Sequence, residues 1–234
     1  MSHDEKEGGF VSHLAELRKR LIHSFIFLII FFIGCYFFAE YLYGFLVEPY
    51  AKAVKDDGLD RRLIFTALQE TFLTYLKVSF FTAFFVTCPF ILMQIWKFIA
   101  PGLYTKEKKA FLPFLIATPI LFFAGGSMVY YIIAPLAWKF FLSYQNLNTS
   151  GVPIRLEAKM GEYLSLMMRF IFAFGLAFQL PVVLGLMAKV NLVSYVSLKK
   201  FRKYAIVIAF LSAAFLTPPD PFSQISLALP IIFL

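Results

Sequence analysis

Arg18-Lys19-Arg20-Leu21-Ile22-His23-Ser24-Phe25-Ile26-Phe27-Leu28-Ile29-Ile30-Phe31-Phe32-Ile33-Gly34-Cys35-Tyr36-Phe37-Phe38-Ala39 is three consecutive cations followed by an almost unbroken apolar run. As an α-helix the run 21–39 is about 28 Å long, against a bilayer hydrocarbon core of about 30 Å. The pattern recurs outward along the chain. Lys97, Lys106, Lys108 and Lys109 separate the second apolar stretch from the third, and Lys189, Lys199, Lys200, Arg202 and Lys203 the fourth from the fifth. Basic clusters mark the cytoplasmic side of a membrane protein. Their fall at alternate ends predicts a polytopic, all-α inner-membrane protein with its N-terminus inside.

Composition agrees. Hydrophobic residues make up 60% of the 234 positions and charged residues 15%, outside the soluble-domain norm of about 45–50% and about 25%. The net charge of +8 could suggest nucleic acid, but its distribution argues otherwise. The segments expected inside carry 13 Lys/Arg against 5 Asp/Glu, and those expected outside 7 against 9. The basicity therefore faces an anionic leaflet, and no basic stripe with interleaved aromatics is left for a nucleic acid. Cys35 and Cys88 lie in separate apolar runs, where small buried hydrophobes are the plain reading and no disulfide framework is expected. An acidic, polar start (Asp4, Glu5, Glu7) predicts no cleavable signal peptide.

The reading is one transmembrane domain over 1–234 with six helices and both ends inside. Residues 10–20 form a short amphipathic helix, with Leu14, Leu17 and Leu21 on one face. It feeds spans at about 21–39, 71–94, 110–133, 161–188, 204–216 and 222–234. Outside loops are expected over 40–70, with Glu48-Pro49 and an acidic turn at 56–60, and over 138–159. Lys77 lies two turns into its span and can snorkel outward, and Arg169 can snorkel outward or meet an acidic partner across the bundle. Pro113, Pro119 and Gly125-Gly126 fall in the third span, tolerated where neighbouring helices re-satisfy the freed backbone groups. The last two runs are short, 13 residues each around Thr217-Pro218-Pro219-Asp220-Pro221. Each reaches roughly 20 Å, which predicts local thinning of the bilayer. The final run stops within apolar sequence, so the sixth span is expected to extend past Leu234.

Catalysis finds no footing. His3, His13 and His23 lie near the start with no Cys, Asp or Glu at ligand spacing, and no nucleophile or nucleotide motif occurs. The chain is read as no enzyme, with no cofactor and no metal. What remains are polar groups that are costly in their setting. Glu16 among Arg18, Lys19 and Arg20 reads equally as an i,i+4 pair with Arg20, worth about 0.3–0.5 kcal/mol, or as a binding carboxylate. Glu107 among Lys106, Lys108 and Lys109 reads as a solvated charge or as a second such carboxylate. Two lone acids on a basic face suit a cationic ligand, and a guanidinium pairs bidentately with a carboxylate. Mid-span Gln179, two residues before Pro181, suits a helix–helix hydrogen bond within the fold or with another chain. Gln224 is a similar case.

These motifs resemble one family. Ser12-His13-Leu14-Ala15-Glu16-Leu17-Arg18-Lys19-Arg20-Leu21 is similar to the N-terminal signature of TatC, the multispanning subunit of the twin-arginine protein translocase. Trp96-Lys97-Phe98-Ile99-Ala100-Pro101-Gly102-Leu103-Tyr104 resembles that family's first cytoplasmic loop. Ala173-Phe174-Gly175-Leu176-Ala177-Phe178-Gln179-Leu180-Pro181 resembles its fourth span, and Leu216-Thr217-Pro218-Pro219-Asp220 its last outside turn. The motifs run end to end in family order. The resemblance implies a receptor that binds twin-arginine signal peptides of folded cargo at the cytoplasmic face. It implies assembly with single-span TatA and TatB subunits and with further copies of itself, and transport driven by the proton-motive force. By position, Glu16 and Glu107 would face the two arginines, with Phe98 and Arg18 shaping the site. Thr217 and Gln224 would join a polar patch for the TatA or TatB helix, and Pro49 and Asp220 match outside-loop positions. Many relatives carry Glu where this chain has Gln179, which keeps the hydrogen bonding and loses the charge.

Two other readings make different demands. A secondary transporter or channel needs charged or unwound elements at the midplane of paired repeats, and no repeat is visible here. A passive scaffold would gather partner helices and leave its loop acids solvated.

Overall fold

In the computed structural model the described residues are 3–55, 63–99, 108–143, 156–189, 193–216, 224–225, 228–229 and 232. Helix α1 (His3–Phe37) joins the amphipathic segment and the first span into one rod, because nothing between residues 10 and 33 breaks a helix. Its apolar side chains, Phe25, Ile26, Ile30 and Phe37 among them, are exposed. On a helix long and apolar enough to cross a bilayer such a surface is a lipid-facing one. Helix α3 (Glu70–Ile99) packs along it in the opposite direction through Phe27 on Phe90, with ring centroids 4.6 Å apart, and Phe32 edge-on to Phe80 at 6.1 Å.

The expected loop over 40–70 holds a helix instead, α2 (Ala39–Lys55). Leu42, Leu46, Tyr50 and Val54 recur every four residues along it, and the last three are buried. That stripe docks on the end of the bundle opposite Arg18–Arg20. The third apolar stretch also runs further than expected. Helix α4 (Lys108–Met128) passes through a π turn (Val129–Ile133) into α5 (Ala134–Ser143). The Ala134 N–H bonds back to the Val129 carbonyl. Pro135 has no N–H and crowds the preceding turn, and the wider π register carries the chain past it. Trp138, read as a loop residue, is therefore a buried helix residue, 5% exposed.

Helix α6 (Met160–Ala177) is the most buried element, with Leu164, Met167, Phe170 and Phe174 at 0–1% exposure. The span expected over 161–188 breaks at Phe178 and Gln179 before resuming as α7 (Leu180–Lys189). Pro181 removes the helical bond to the Ala177 carbonyl, which accounts for the break. Helices α4 and α6 touch through glycines: Gly125 lies under the Phe174 backbone, and Gly175 under the Phe122 ring. Small residues at a crossing let two backbones approach. Helix α8 (Tyr195–Leu216) begins earlier than the apolar run 204–216, because the charged stretch before it is helical as well. Ala228 in the final run and Ala213 on α8 are buried in the same core cluster.

Four helical stretches are long and apolar enough to cross a membrane: Ala15–Phe37, Glu70–Ile95, Leu112–Ser143 and Met160–Lys189. With the shorter helices they make an all-helical polytopic chain. The segments leading into α3 and α6 are clasped together, Ile64 N–H donating to the Ala158 carbonyl at 3.1 Å and Met160 N–H to that of Ile64 at 2.9 Å.

Candidate functional site

At the basic end the sequence-named residues sit on α1 and α3. Arg20 donates through Nε to Glu16 Oε1 at 3.1 Å and through Nη2 to the same oxygen, while its Nη1 donates to Gln94 Oε1 at 3.0 Å. The i,i+4 pair is therefore formed, and the same guanidinium ties α1 to α3. This link fixes a level. Glu16 is four residues before Arg20 on α1, and Phe98 four residues after Gln94 on the oppositely directed α3. Both stand about 6 Å further toward the basic end, on neighbouring helices. Glu16 and Phe98 are half-buried and Arg18 is exposed. Both of Arg20's bonds to Glu16 go to Oε1, and among the described residues Oε2 accepts no hydrogen bond. Glu107 lies outside the described residues, as do Thr217 and Asp220.

Gln179 occupies the break between α6 and α7. Its Nε2 donates to the Thr118 carbonyl on α4 at 2.8 Å, so the amide bonds within the fold. Among the described residues its Oε1 has no partner, and the residue is 6% exposed. Gln224 Nε2 donates to the Phe210 carbonyl at 3.2 Å, fastening the final run to α8.

Pro49 is buried inside α2 rather than in a loop. Lacking an N–H, it leaves the Phe45 carbonyl without its helical donor. Tyr130, at the π turn, supplies one, its hydroxyl donating to that carbonyl at 2.8 Å with Glu48 Oε2 3.1 Å away. Tyr163 on α6 donates to the Leu46 carbonyl at 2.9 Å. Lys52 lies 2.7 Å from Glu48. The hydrogen bond from Lys52, and then that from Tyr130, hold the Glu48 carboxyl below the ordinary carboxylate range.

Sequence reasoning missed one site. A cavity of about 900 Å³ opens between α3, α5 and α6 at the opposite end, with Lys77 and Arg169 on its wall. A signal was present: Glu70 and Lys77 are seven residues apart, as are Glu162 and Arg169. Seven residues are close to two turns, so each pair shares a helix face.

The family model described as Sec-independent protein translocase protein (TatC) matches residues 12–230. The Sec-independent protein translocase protein TatC of Magnetococcus marinus is 47% identical over 98% of this chain and 82% of its own length. That of Rickettsia prowazekii is 46% identical over 97% of this chain and 89% of its own. That of Escherichia coli K12 is 34% identical over 94% and 82% respectively. A crystal structure of a twin arginine translocase receptor, TatC, in DDM superposes with a TM-score of 0.81 at 36% identity, covering 94% of this chain and 95% of that one.

Proposed function

Since this chain belongs to the TatC family of Sec-independent protein translocase proteins, we propose that its receptor role is carried by Glu16 and Glu107, with Phe98 and Arg18 beside them. It is a multi-pass protein of the bacterial cytoplasmic membrane and a receptor subunit of the twin-arginine pathway, not an enzyme. The finer assignment is that the two carboxylates at the basic, cytoplasmic end take the two guanidinium groups of a signal peptide. One observation carries it: the Glu16 carboxylate already accepts a guanidinium, that of Arg20, at the level of Phe98 on the neighbouring helix. A peptide arginine would use the same chemistry at Oε2 or in place of Arg20.

The energetics suit such a site. A hydrogen bond to a charged group contributes about 1.5–3 kcal/mol, and micromolar binding requires about 8 kcal/mol. Two carboxylates supply much of that, and apolar contacts along the signal peptide the rest. Lysine would bind less well, being a point charge without the planar fork.

The topology belongs to the same reading: six spans with both ends inside, and α8 and the final helix short in their apolar parts. Gln224 and Thr217 on those last elements, with Gln179, are assigned to contacts with TatA- and TatB-type single-span partners. Gln179 is closed off in the isolated chain, so it would be reached only when a partner helix opens the α4–α6 seam.

The test is binding of a twin-Arg signal peptide and its twin-Lys version to the purified chain, with photocrosslinking from positions beside Glu16 and Phe98. Glu16→Gln or Glu107→Gln should weaken twin-Arg binding by roughly tenfold or more and twin-Lys binding far less. Equal losses for the two peptides, or crosslinks confined to the opposite end, would refute the assignment.

A further inference from the structure

The cavity at the opposite end contains two cations that the receptor role does not use. Lys77 on α3 and Arg169 on α6 both line it and are both exposed, within helical stretches long and apolar enough to cross the membrane. Their relative height follows from a hydrogen bond near the helix starts, where the Gly161 N–H donates to Glu70 Oε1 at 3.3 Å. Helices α3 and α6 run in the same direction from that point, meeting again at Phe84 and Phe172 with centroids 5.4 Å apart. Lys77 is seven residues beyond Glu70 and Arg169 eight beyond Gly161, so both lie about 11 Å down their helices. Two positive charges stand within about one helical turn of each other in depth, on adjacent walls of one cavity.

Three acids line the same cavity, and two of them have other partners. Glu70 accepts from the Thr66 N–H at 2.8 Å and from Gly161, and Glu162 lies 3.7 Å from Lys159. Glu157 is exposed at the rim. Among the described residues neither Lys77 nor Arg169 has an acidic partner. A membrane-embedded cation is paired or reaches the interface, and these two converge on a space of about 900 Å³, within the roughly 300–1,000 Å³ of small-molecule sites.

Depth and wall chemistry identify the ligand. Helix α3 is 30 residues long, about 45 Å against a core of about 30 Å. With α3 centred, Lys77 lies only about 3 Å inside the hydrocarbon edge, and its stem can return the ammonium to the phosphate layer. One wall carries the apolar side chains of Leu73, Phe141, Leu142 and Leu166, with Thr74 and Ser165 one turn from the cations. We propose that Lys77 and Arg169 together hold the phosphate of an anionic phospholipid, one acyl chain of which lies along that apolar wall. The arginine fork takes two phosphate oxygens and the lysine a third. A zwitterionic lipid is disfavoured, since its own ammonium already neutralises its phosphate. A free phosphate ion would satisfy the cations and leave the apolar wall empty.

Trp138 lines the same cavity and provides the readout. In a Trp96→Phe chain reconstituted into phosphatidylcholine vesicles, acyl-brominated phosphatidylglycerol should quench Trp138 at about one tenth the mole fraction needed for brominated phosphatidylcholine. Two cations near an anionic surface each contribute about 1 kcal/mol, enough for such a ratio. The added change K77Q/R169Q should equalise the two lipids, while K77R/R169K, which keeps both charges, should preserve the preference. Equal quenching in the Trp96→Phe chain overturns the proposal, as does a preference that survives K77Q/R169Q. Loss of the preference on adding inorganic phosphate would assign the site to a free anion and overturn the lipid. The result does not depend on signal-peptide binding at the other end.

Discussion

Gln179 and Glu48 show how single polar atoms hold this bundle. The Gln179 amide gives its N–H to a carbonyl that belongs to another helix, and a leucine of similar size would lose that bond alone. Membrane hydrogen bonds average about 0.6 kcal/mol, so Gln179→Leu should lower the thermal unfolding transition in detergent only slightly. An ionised glutamate would set a second oxygen against the Thr118 carbonyl and have no donor, so Gln179→Glu should cost more, about 1–3 kcal/mol. Equal effects of the two substitutions would show that a carboxylate facing the Thr118 carbonyl carries no penalty, and no loss in Gln179→Leu that the bond to Thr118 contributes nothing. Glu48 lies outside the spans and its carboxyl is held low by Lys52 and Tyr130. A depressed carboxylate contributes stability above its unfolded value and loses it as pH falls through the folded one. Acidification below the ordinary carboxylate range should therefore speed amide exchange in α2, and Glu48→Gln should remove that pH dependence.

At the scale of elements, the α4–α6 crossing brings two backbones into direct contact. A Cβ built on Gly125 would sit 2.5 Å from the Phe174 carbonyl oxygen, a backbone atom that cannot swing aside, whereas one on Gly34 meets nothing within 4 Å. Gly125→Ala should therefore cost about 1–3 kcal/mol of overpacking, while Gly34→Ala should be neutral or gain up to about 1 kcal/mol from helix propensity. The paired thermal transitions check this. The same contrast explains what the sequence made legible. Helices α1 and α3 were readable because long apolar runs end at basic clusters. Helix α2 was not, since Pro49, Glu48 and Lys52 resemble a loop, although its stripe at Leu42, Leu46, Tyr50 and Val54 has helical spacing. The extension through Pro135 depends on a π register that no composition signals. Glu16, Arg18 and Phe98 could be named from motifs, but their common level needed the Arg20–Gln94 bond. The Lys77–Arg169 alignment likewise needed the bond between Glu70 and Gly161.

For the whole molecule the open question is which way it faces. Its long helices alternate in direction, so Arg18–Arg20, Lys97 and Lys189 all come to one end, and α8 starts there with Lys199, Lys200, Arg202 and Lys203. Cytoplasmic loops retain such clusters because moving them across the membrane is unfavourable, and the anionic inner leaflet attracts each cation by about 1 kcal/mol. The segments expected inside hold 13 Lys/Arg and those expected outside 7, so the bias between the two orientations is about 6 kcal/mol. It acts on orientation alone, because the packing of α1, α3, α4 and α6 is the same either way up. Cysteine labelling separates the two orientations. With Cys35 and Cys88 replaced by alanine, one chain would carry Glu157→Cys and another Lys199→Cys, both at exposed positions. A membrane-impermeant maleimide should modify the first once the outer surface of the cytoplasmic membrane is accessible, and the second only in inverted vesicles. The reverse pattern would put Glu16 and Phe98 outside, out of reach of a signal peptide that has not yet been exported, and the receptor site would have to be sought at the other end.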